Sequence, residues 1–516
     1  MLYPTNKYLL TSLAIFALGL IFVFFTNPFL RYPYDVFAHL ISIDELYHGA
    51  SDTTTSIQQG RLLWHDIWAT IFHFLNIDSQ QLFLRAKIIY IMQTSLTLFS
   101  IYYFSNVILR NVFKTIDKTT LLYLSMWSTI IWLTIFATHS LYHHLVWNLW
   151  YSINYQITLP LFWYITALTL VLVLEQTSTK TKLFSILQIL LISSFIIRVH
   201  SMELMYYFMY VSLLSLVYLD KLYYLIKKYY YVIIPLMSLI IYTIAHYQVE
   251  SPQIFNYLTL EKFPLLYDKI MTIGSTLLNA LNRANSGSIN ELMLFIFYFS
   301  FLFLMLVLWR RNKDNNIFNY RILLFCLLSA LFAFIPLTQF TAGLFALIAR
   351  PDVIHRIYYS SSLFLLLPII AYYLFILYRI PLKFLNLVMA LLLISVYLFS
   401  KYSPESSHYY YKNIQSIQNT FSPNQYDFHL SQKNIDLIGQ KVKNYEKNNQ
   451  TEKETYFYAR ADIAFVIKYM YHKKVFWKGR RTNPNFIKAY KNRNNDLYQN
   501  ILLETPQDFP KYIPYW

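Results

Sequence analysis

Between Arg31 and Leu75 the chain reads RYPYDVFAHLISIDELYHGASDTTTSIQQGRLLWHDIWATIFHFL, gathering Asp35, His39, Asp44, Glu45, Asp52, Arg61, His65 and Asp66 just after an apolar run. Carboxylates of this kind can take a proton from a weak nucleophile, histidines can relay one, and an arginine fork can hold an anion. Ionisable groups are expensive beside a membrane span, so their concentration here marks a candidate site. Read as a helix from Tyr34, the stretch puts Asp35, His39 and Ser42 on one face. Asp44, nine positions beyond Asp35, points the opposite way, so a continuous helix shows only one of these carboxylates to a given cavity. From Gly60 to Leu75, apolar Trp64, Ile67, Trp68, Ile71 and Leu75 recur at helical spacing, with Arg61 and His65 four apart. That pattern reads as a helix in the membrane interface, with Trp at headgroup level.

The elements that must position these residues are membrane spans. With 56% hydrophobic and only 13% charged residues, and with repeated apolar runs of bilayer length, the chain is read as a polytopic membrane protein. Tyr8–Phe25 is taken as a first, uncleaved span. Later spans are expected at Ile88–Leu109, Leu121–Thr138, Ile157–Leu174, Leu183–Ile197, Leu204–Leu219, Tyr231–His246, Leu292–Trp309, Ile322–Gly343, Tyr358–Leu377 and Leu382–Phe399, about eleven in all. The fold class expected is an α-helical polytopic membrane protein with interfacial helices in its first outward loop and a small C-terminal α/β domain. Residues 1–399 form the transmembrane domain and 400–516 the soluble one, where Thr455–Tyr458 and Val475–Trp477 read as strands flanking a helix at Ala461–His472.

Lys and Arg fall in alternate loops: Lys7; Arg110, Lys114 and Lys118; Lys180 and Lys182; Lys221, Lys227 and Lys228; Arg310 to Arg321; Arg379 and Lys383. By the positive-inside rule these loops are cytoplasmic, which turns the Arg31–Leu75 stretch and the C-terminal domain outward. The formal charge of +17 is thereby assigned to orientation and anionic lipid, with no nucleic-acid partner. The outward set also holds RVHSMEL, with Arg198, His200 and Glu203, and ARPDVIHRIYY, with Arg350, His355 and Arg356. Leu265, Leu266, Ile270, Ile273, Leu277 and Leu281 form an apolar stripe that is either a second interfacial helix, as in a lid, or a surface helix. His139 and His143 stand four apart with His144 beside them, but no third ligand is evident, so no metal centre is assigned. Eight glycines and one cysteine, Cys326, leave no Gly-rich phosphate loop, disulfide or thiolate site. Span middles are nearly free of charge, and neither an ionisable nor a broken-helix site near the midplane, the usual mark of coupled transporters, stands out.

Taken together, the inward N-terminus, the acidic residue soon after the first span, the interfacial helices, about eleven spans and an outward C-terminal domain resemble the GT-C superfamily of membrane glycosyltransferases. YPYDVFAHLISIDELYHG followed by GRLLWHDIW is similar to bacterial members in which Asp-x-x-x-His-Leu precedes a Gly and a Trp. IDELYHG also resembles the acidic pair of the protein mannosyltransferase branch, although the Pro-Pro-Leu that often follows that pair is absent. The specific likeness covers residues 32–68.

The resemblance implies a bacterial inner-membrane enzyme with its N-terminus cytoplasmic and its C-terminal domain periplasmic or extracellular. Its donor would be a polyprenyl-phosphate-linked sugar, its acceptor a glycan, lipid or protein, and its reaction inverting. Asp35 is the expected base, with Asp44 and Glu45 as alternatives. His39, Arg61, His65, Asp66, Arg198, His200, Glu203, Arg350, His355 and Arg356 are the expected substrate contacts. No cofactor is assigned, and a divalent cation, Mg or Mn, is left open. The rivals are a lipid-linked oligosaccharide flippase or transporter and a surface-polysaccharide polymerase or ligase.

Overall fold

The computed structural model describes residues 33–48, 63–78, 81–134, 153–200, 202–246, 261–284, 318–348, 360–381, 432–448, 456–460, 473–478 and 501–502, with short pieces at 256–259, 357, 384–394 and 466–471. The expected spans Tyr8–Phe25 and Leu292–Trp309 lie outside the described residues.

Two helices, α1 (Pro33–Tyr47) and α2 (Leu63–Phe74), pack on each other ahead of the bundle. The bundle is built on α3 (Leu82–Val112), α4 (Lys118–Thr134), α5 (Ile153–Leu174), α6 (Thr179–Val199) and α7 (Met202–Val217). Helix α3 packs on α4 and α5, and α5 on α6 and α7. Local chemistry starts these helices where the apolar runs begin. Asp117 accepts the Thr120 N–H at 2.9 Å ahead of α4, and Ser178 accepts that of Thr181 at 3.2 Å ahead of α6. Polar side chains inside the bundle close onto their own helix, as when Ser105 and Thr166 donate to carbonyls one turn back, and Asn106 donates across to Ser125 on α4 at 3.3 Å. Such bonds satisfy these side chains within the apolar bundle.

Three of the described helical segments, Leu84–Val112, Ile157–Leu174 and Thr179–Val199, are long and apolar enough to cross a membrane, and the number is up to 5 if each of two bent pairs counts as one span. Both bent pairs correct the sequence reading. The run from Ile322 to Gly343 is not one straight span: α10 (Tyr320–Ala330) passes into a 3-10 turn over Leu331–Leu337 and then turns by 92° into α11 (Gln339–Ile348). Carbonyls freed near the end of α10 are taken up by serines, with Ser361 donating to Ala330 O at 3.1 Å and Ser362 to Cys326 O at 3.0 Å. Likewise Lys221, Lys227 and Lys228 do not occupy a loop. Helix α8 runs from Leu219 to His246, leaves α7 at 110°, and is kinked at Tyr229.

The apolar stripe at 265–281 is helical: α9 (Leu266–Ala284) lies closely against α11. Two glycines let the backbones meet. A Cβ on Gly274 would land on the Gln339 carbonyl and one on Gly343 on the Ile270 carbonyl, and neither backbone oxygen can swing away. Gly274→Ala and Gly343→Ala are each expected to cost about 1–3 kcal/mol, the usual range for overpacking. The check is a melting curve in detergent, in which an unchanged midpoint for both variants would disprove the close crossing.

Helix α12 (Leu363–Leu377) packs on α4 and α10. Toward the C-terminus, α13 (Gln432–Asn448) precedes β1 (Tyr456–Arg460), β2 (Lys474–Lys478) and β3 (Ile501–Leu502), a parallel sheet in the order β2-β1-β3. The strands expected at 455–458 and 475–477 are thus β1 and β2, paired in register from Tyr456 with Lys474. Strand β3 was not anticipated. Ile438, Val442, Val466 and Ile467 of this region are buried in the same apolar cluster as the bundle.

Candidate functional site

Among the described residues, ion pairs lie at both ends of α3. Arg85 and Arg110 bracket its apolar length, about 37 Å apart at 1.5 Å per residue. At the Arg110 end, Arg110 pairs with Glu175 at 2.5 Å and Arg321 with Asp220 through both guanidinium nitrogens at 2.9 and 3.2 Å. The candidate site lies at the opposite end, where α1, α2, α6 and α7 present their polar termini.

Helix α1 is continuous, with Pro33 at its first position, where a missing N–H costs nothing. Asp35 and His39 therefore fall on one face and Asp44 on the other. The side chains of Asp35 and Glu45 lie outside the described residues, as do Arg61, Arg350, His355 and Arg356 entirely, along with His139, His143 and His144.

His39 Nδ1 meets His65 Nε2 of α2 at 2.8 Å, with the rings stacked 5.0 Å apart. One nitrogen must donate and the other accept, so a single proton sits between the two imidazoles. Trp64 closes on both rings edge-on, at 6.1 Å from His39 and 5.0 Å from His65. This contact turns α2 relative to the expected stripe. Trp64, His65, Trp68 and Phe72 are buried, while Ile67 and Leu75, of the same expected interfacial stripe, are exposed at 38% and 50%. The imidazole must be inside to reach His39, whereas Ile and Leu can face lipid without penalty.

From α2 the cluster continues to α6. Asp66 lies on the exposed side of α2, within electrostatic reach of Arg198 in the last turn of α6. His200 follows as the C-cap of α6 and holds Glu203, in the first turn of α7, at 2.5 Å. Glu203 is fully buried. A cation at the end of α6 and an anion at the start of α7 each complement the helix dipole, so the cluster also steadies the turn between them.

Although Asp66 reaches solvent, its carboxyl is raised above its ordinary value by desolvation where it lies against the protein, with Arg198 drawing it partway back. A raised carboxyl favours its protonated form in the fold. Its contribution to stability is present in acid and is lost as pH rises from the usual carboxylate range through the raised value. Asp66→Asn, which cannot ionise, should therefore melt higher than the wild type near neutral pH and show no gain in acid. A gain of equal size at both pH values would eliminate this titration.

On the other face of α1, Asp44 is almost fully buried at 1% exposure. Arg85 Nη1 donates to its Oδ1 at 2.9 Å, Lys468 Nζ lies 3.3 Å from Oδ2, and His48 Nε2 is 3.7 Å away. The Arg85 guanidinium also donates to Ile77 O through Nε at 3.1 Å and Nη2 at 2.6 Å, and lies 4.2 Å from the centre of the Tyr47 ring. Both oxygens of Asp44 are thus engaged by cations, one of them from the C-terminal region. Neither Arg85 nor Lys468 was singled out from sequence. Arg85 left a faint signal, as a lone arginine just ahead of a span on the side where the positive-inside rule disfavours it; Lys468, one lysine among many in the tail, left none.

Among the described residues no group of three His, Cys, Asp or Glu converges as a metal site would require.

The helical fold, with several apolar helices long enough to cross a membrane, is compatible with an α-helical membrane protein. No protein-family model matches the chain, and no curated protein matches it.

Proposed function

We propose that the chain is a glycosyltransferase of the outer face of the cytoplasmic membrane of a bacterium, taking a sugar from a polyprenyl-phosphate donor to a hydroxyl or amide of a glycan, lipid or protein. The observation that carries this reading is three polar contacts at one end of the bundle: His39 with His65, Asp66 within electrostatic reach of Arg198, and His200 with Glu203. A donor buried in the bilayer by its lipid would present its phosphate and sugar at such an end.

In the reaction the acceptor oxygen or nitrogen attacks the anomeric carbon from the side opposite the phosphate. Asp35 takes its proton, and the sugar–phosphate bond breaks with its electron pair going to the lipid phosphate. The guanidinium of Arg198, with Arg61, Arg350 and Arg356, supplies the positive charge that the leaving phosphate needs, since the planar fork matches phosphate oxygens. His39 and His65, sharing one proton, orient the acceptor beside Asp35, one helical turn from His39.

The deciding experiment is product formation from a labelled polyprenyl-phosphate sugar by the purified chain in proteoliposomes. A new glycosidic bond supports the enzyme. Passage of the labelled lipid across the bilayer with no new bond favours a flippase, the reading that the bent pair α10–α11 supports, since interrupted helices are common in transporters. The bend holds only Thr338, Gln339 and Thr341 as polar groups and no ionisable residue, which is why the enzyme is preferred.

Orientation is tested separately. Alkaline phosphatase fused after residue 516 is expected to be active and a fluorescent protein at the same place dark; the reverse pattern would invert the topology and put the cluster on the cytoplasmic side.

A further inference from the structure

The sharp turn from α7 into α8 leaves the first ten residues of α8, LDKLYYLIKK, running across the bundle at the Arg110 end. At 100° per residue these positions form three separate lines. Leu225 and Tyr229 are buried, Leu222 is half-buried, and the helix packs on α6. Leu219, Tyr223 and Ile226 form a second line, exposed at 67%, 65% and 46%. Lys221 and Lys228 form a third, on the side opposite that apolar line, while Lys227 lies beside the apolar line and across the helix from the packed side; all three lysines are exposed. The start of the helix is tied down by the two-bond pair of Asp220 with Arg321. Lys228 Nζ stands 5.9 Å and 5.6 Å from the ring centres of Tyr224 and Tyr229, so its ammonium is kept beside the aromatic belt.

A helix with one side packed, one side apolar and bare, and the opposite side cationic matches a single environment. The apolar line sinks among acyl chains while the lysines reach up to headgroups. We propose that the segment 219–228 is an in-plane helix that selects anionic phospholipid headgroups in the leaflet at the Arg110 end of the bundle. The selection comes from Lys221, Lys227 and Lys228 acting together, and it is independent of any transferase activity.

The test uses the full chain in nanodiscs of phosphatidylcholine with phosphatidylglycerol. Spin labels on I226C and on K228C, one at a time, report depth by their accessibility to oxygen and to a water-soluble nickel chelate. Oxygen should reach the Ile226 label and nickel the Lys228 label; nickel access at Ile226 would overturn the in-plane placement, whatever the lysine variants do. Native mass spectrometry then reads the preference for phosphatidylglycerol. The triple variant K221Q/K227Q/K228Q should lose about fivefold of that preference per lysine, and K114Q/K180Q/K182Q, at the same end, clearly less. Equal losses in the two triples would reduce the effect to general basic charge and end the proposal.

Discussion

Arg85→Ala is expected to destabilise the protein by about 3–5 kcal/mol, the range for removing one partner of a fully buried ion pair. Arg85 has no exposed surface and Asp44 almost none, so the Oδ1 that Arg85 leaves could not recover its hydration, although Lys468 stays on Oδ2. Two carbonyl bonds to Ile77 and the packing over Tyr47 would go as well. Pairing Asp44→Leu with Arg85→Met should regain much of the loss, because replacing both charges removes the desolvation cost along with the attraction. Thermal unfolding in detergent reads the series. Wild-type melting of Arg85→Ala, or a double variant no better than the single, would mean that Asp44 is not held by Arg85.

Asp35→Asn is expected to lower transfer about 10²- to 10⁴-fold, the usual worth of a positioned base, with the melting curve unchanged. The amide keeps the shape of the side chain but cannot take the acceptor's proton. Asp44→Asn should show the opposite profile, a lower melting point with most of the remaining folded protein active, because both Asp44 oxygens are engaged by Arg85 and Lys468. An Asp44→Asn protein that melts normally but makes no product would move the base to the other face of α1 and favour the mannosyltransferase-like alignment.

The sequence by itself determined everything that follows from helical periodicity. Because α1 runs unbroken from Pro33 to Tyr47, the 100° step alone separates Asp35 and His39 from Asp44, and the structure places His39 and Asp44 in different surroundings accordingly. The helices over 88–109, 157–174 and 183–197 were legible because an apolar run of that length has its backbone satisfied in a membrane only as a helix.

Which side of each helix faces protein was decided only by the tertiary structure. In water an apolar stripe must be buried, but in a bilayer Ile67 can face lipid at no cost, so hydrophobicity no longer reports burial. The polar contacts show what does: His65 is inside because His39 is there to meet it, and Asp44 is inside because Arg85, 41 residues on, and Lys468 are. The bend before α11 was hidden for a related reason. Pro336 sits beside it, yet Pro160, Pro235 and Pro368 lie within helices that continue, so a proline alone does not mark a break. At this bend Ser361 and Ser362 supply partners for the carbonyls of Ala330 and Cys326. Partners of that kind come from distant parts of the chain, and only the packed fold brings them together.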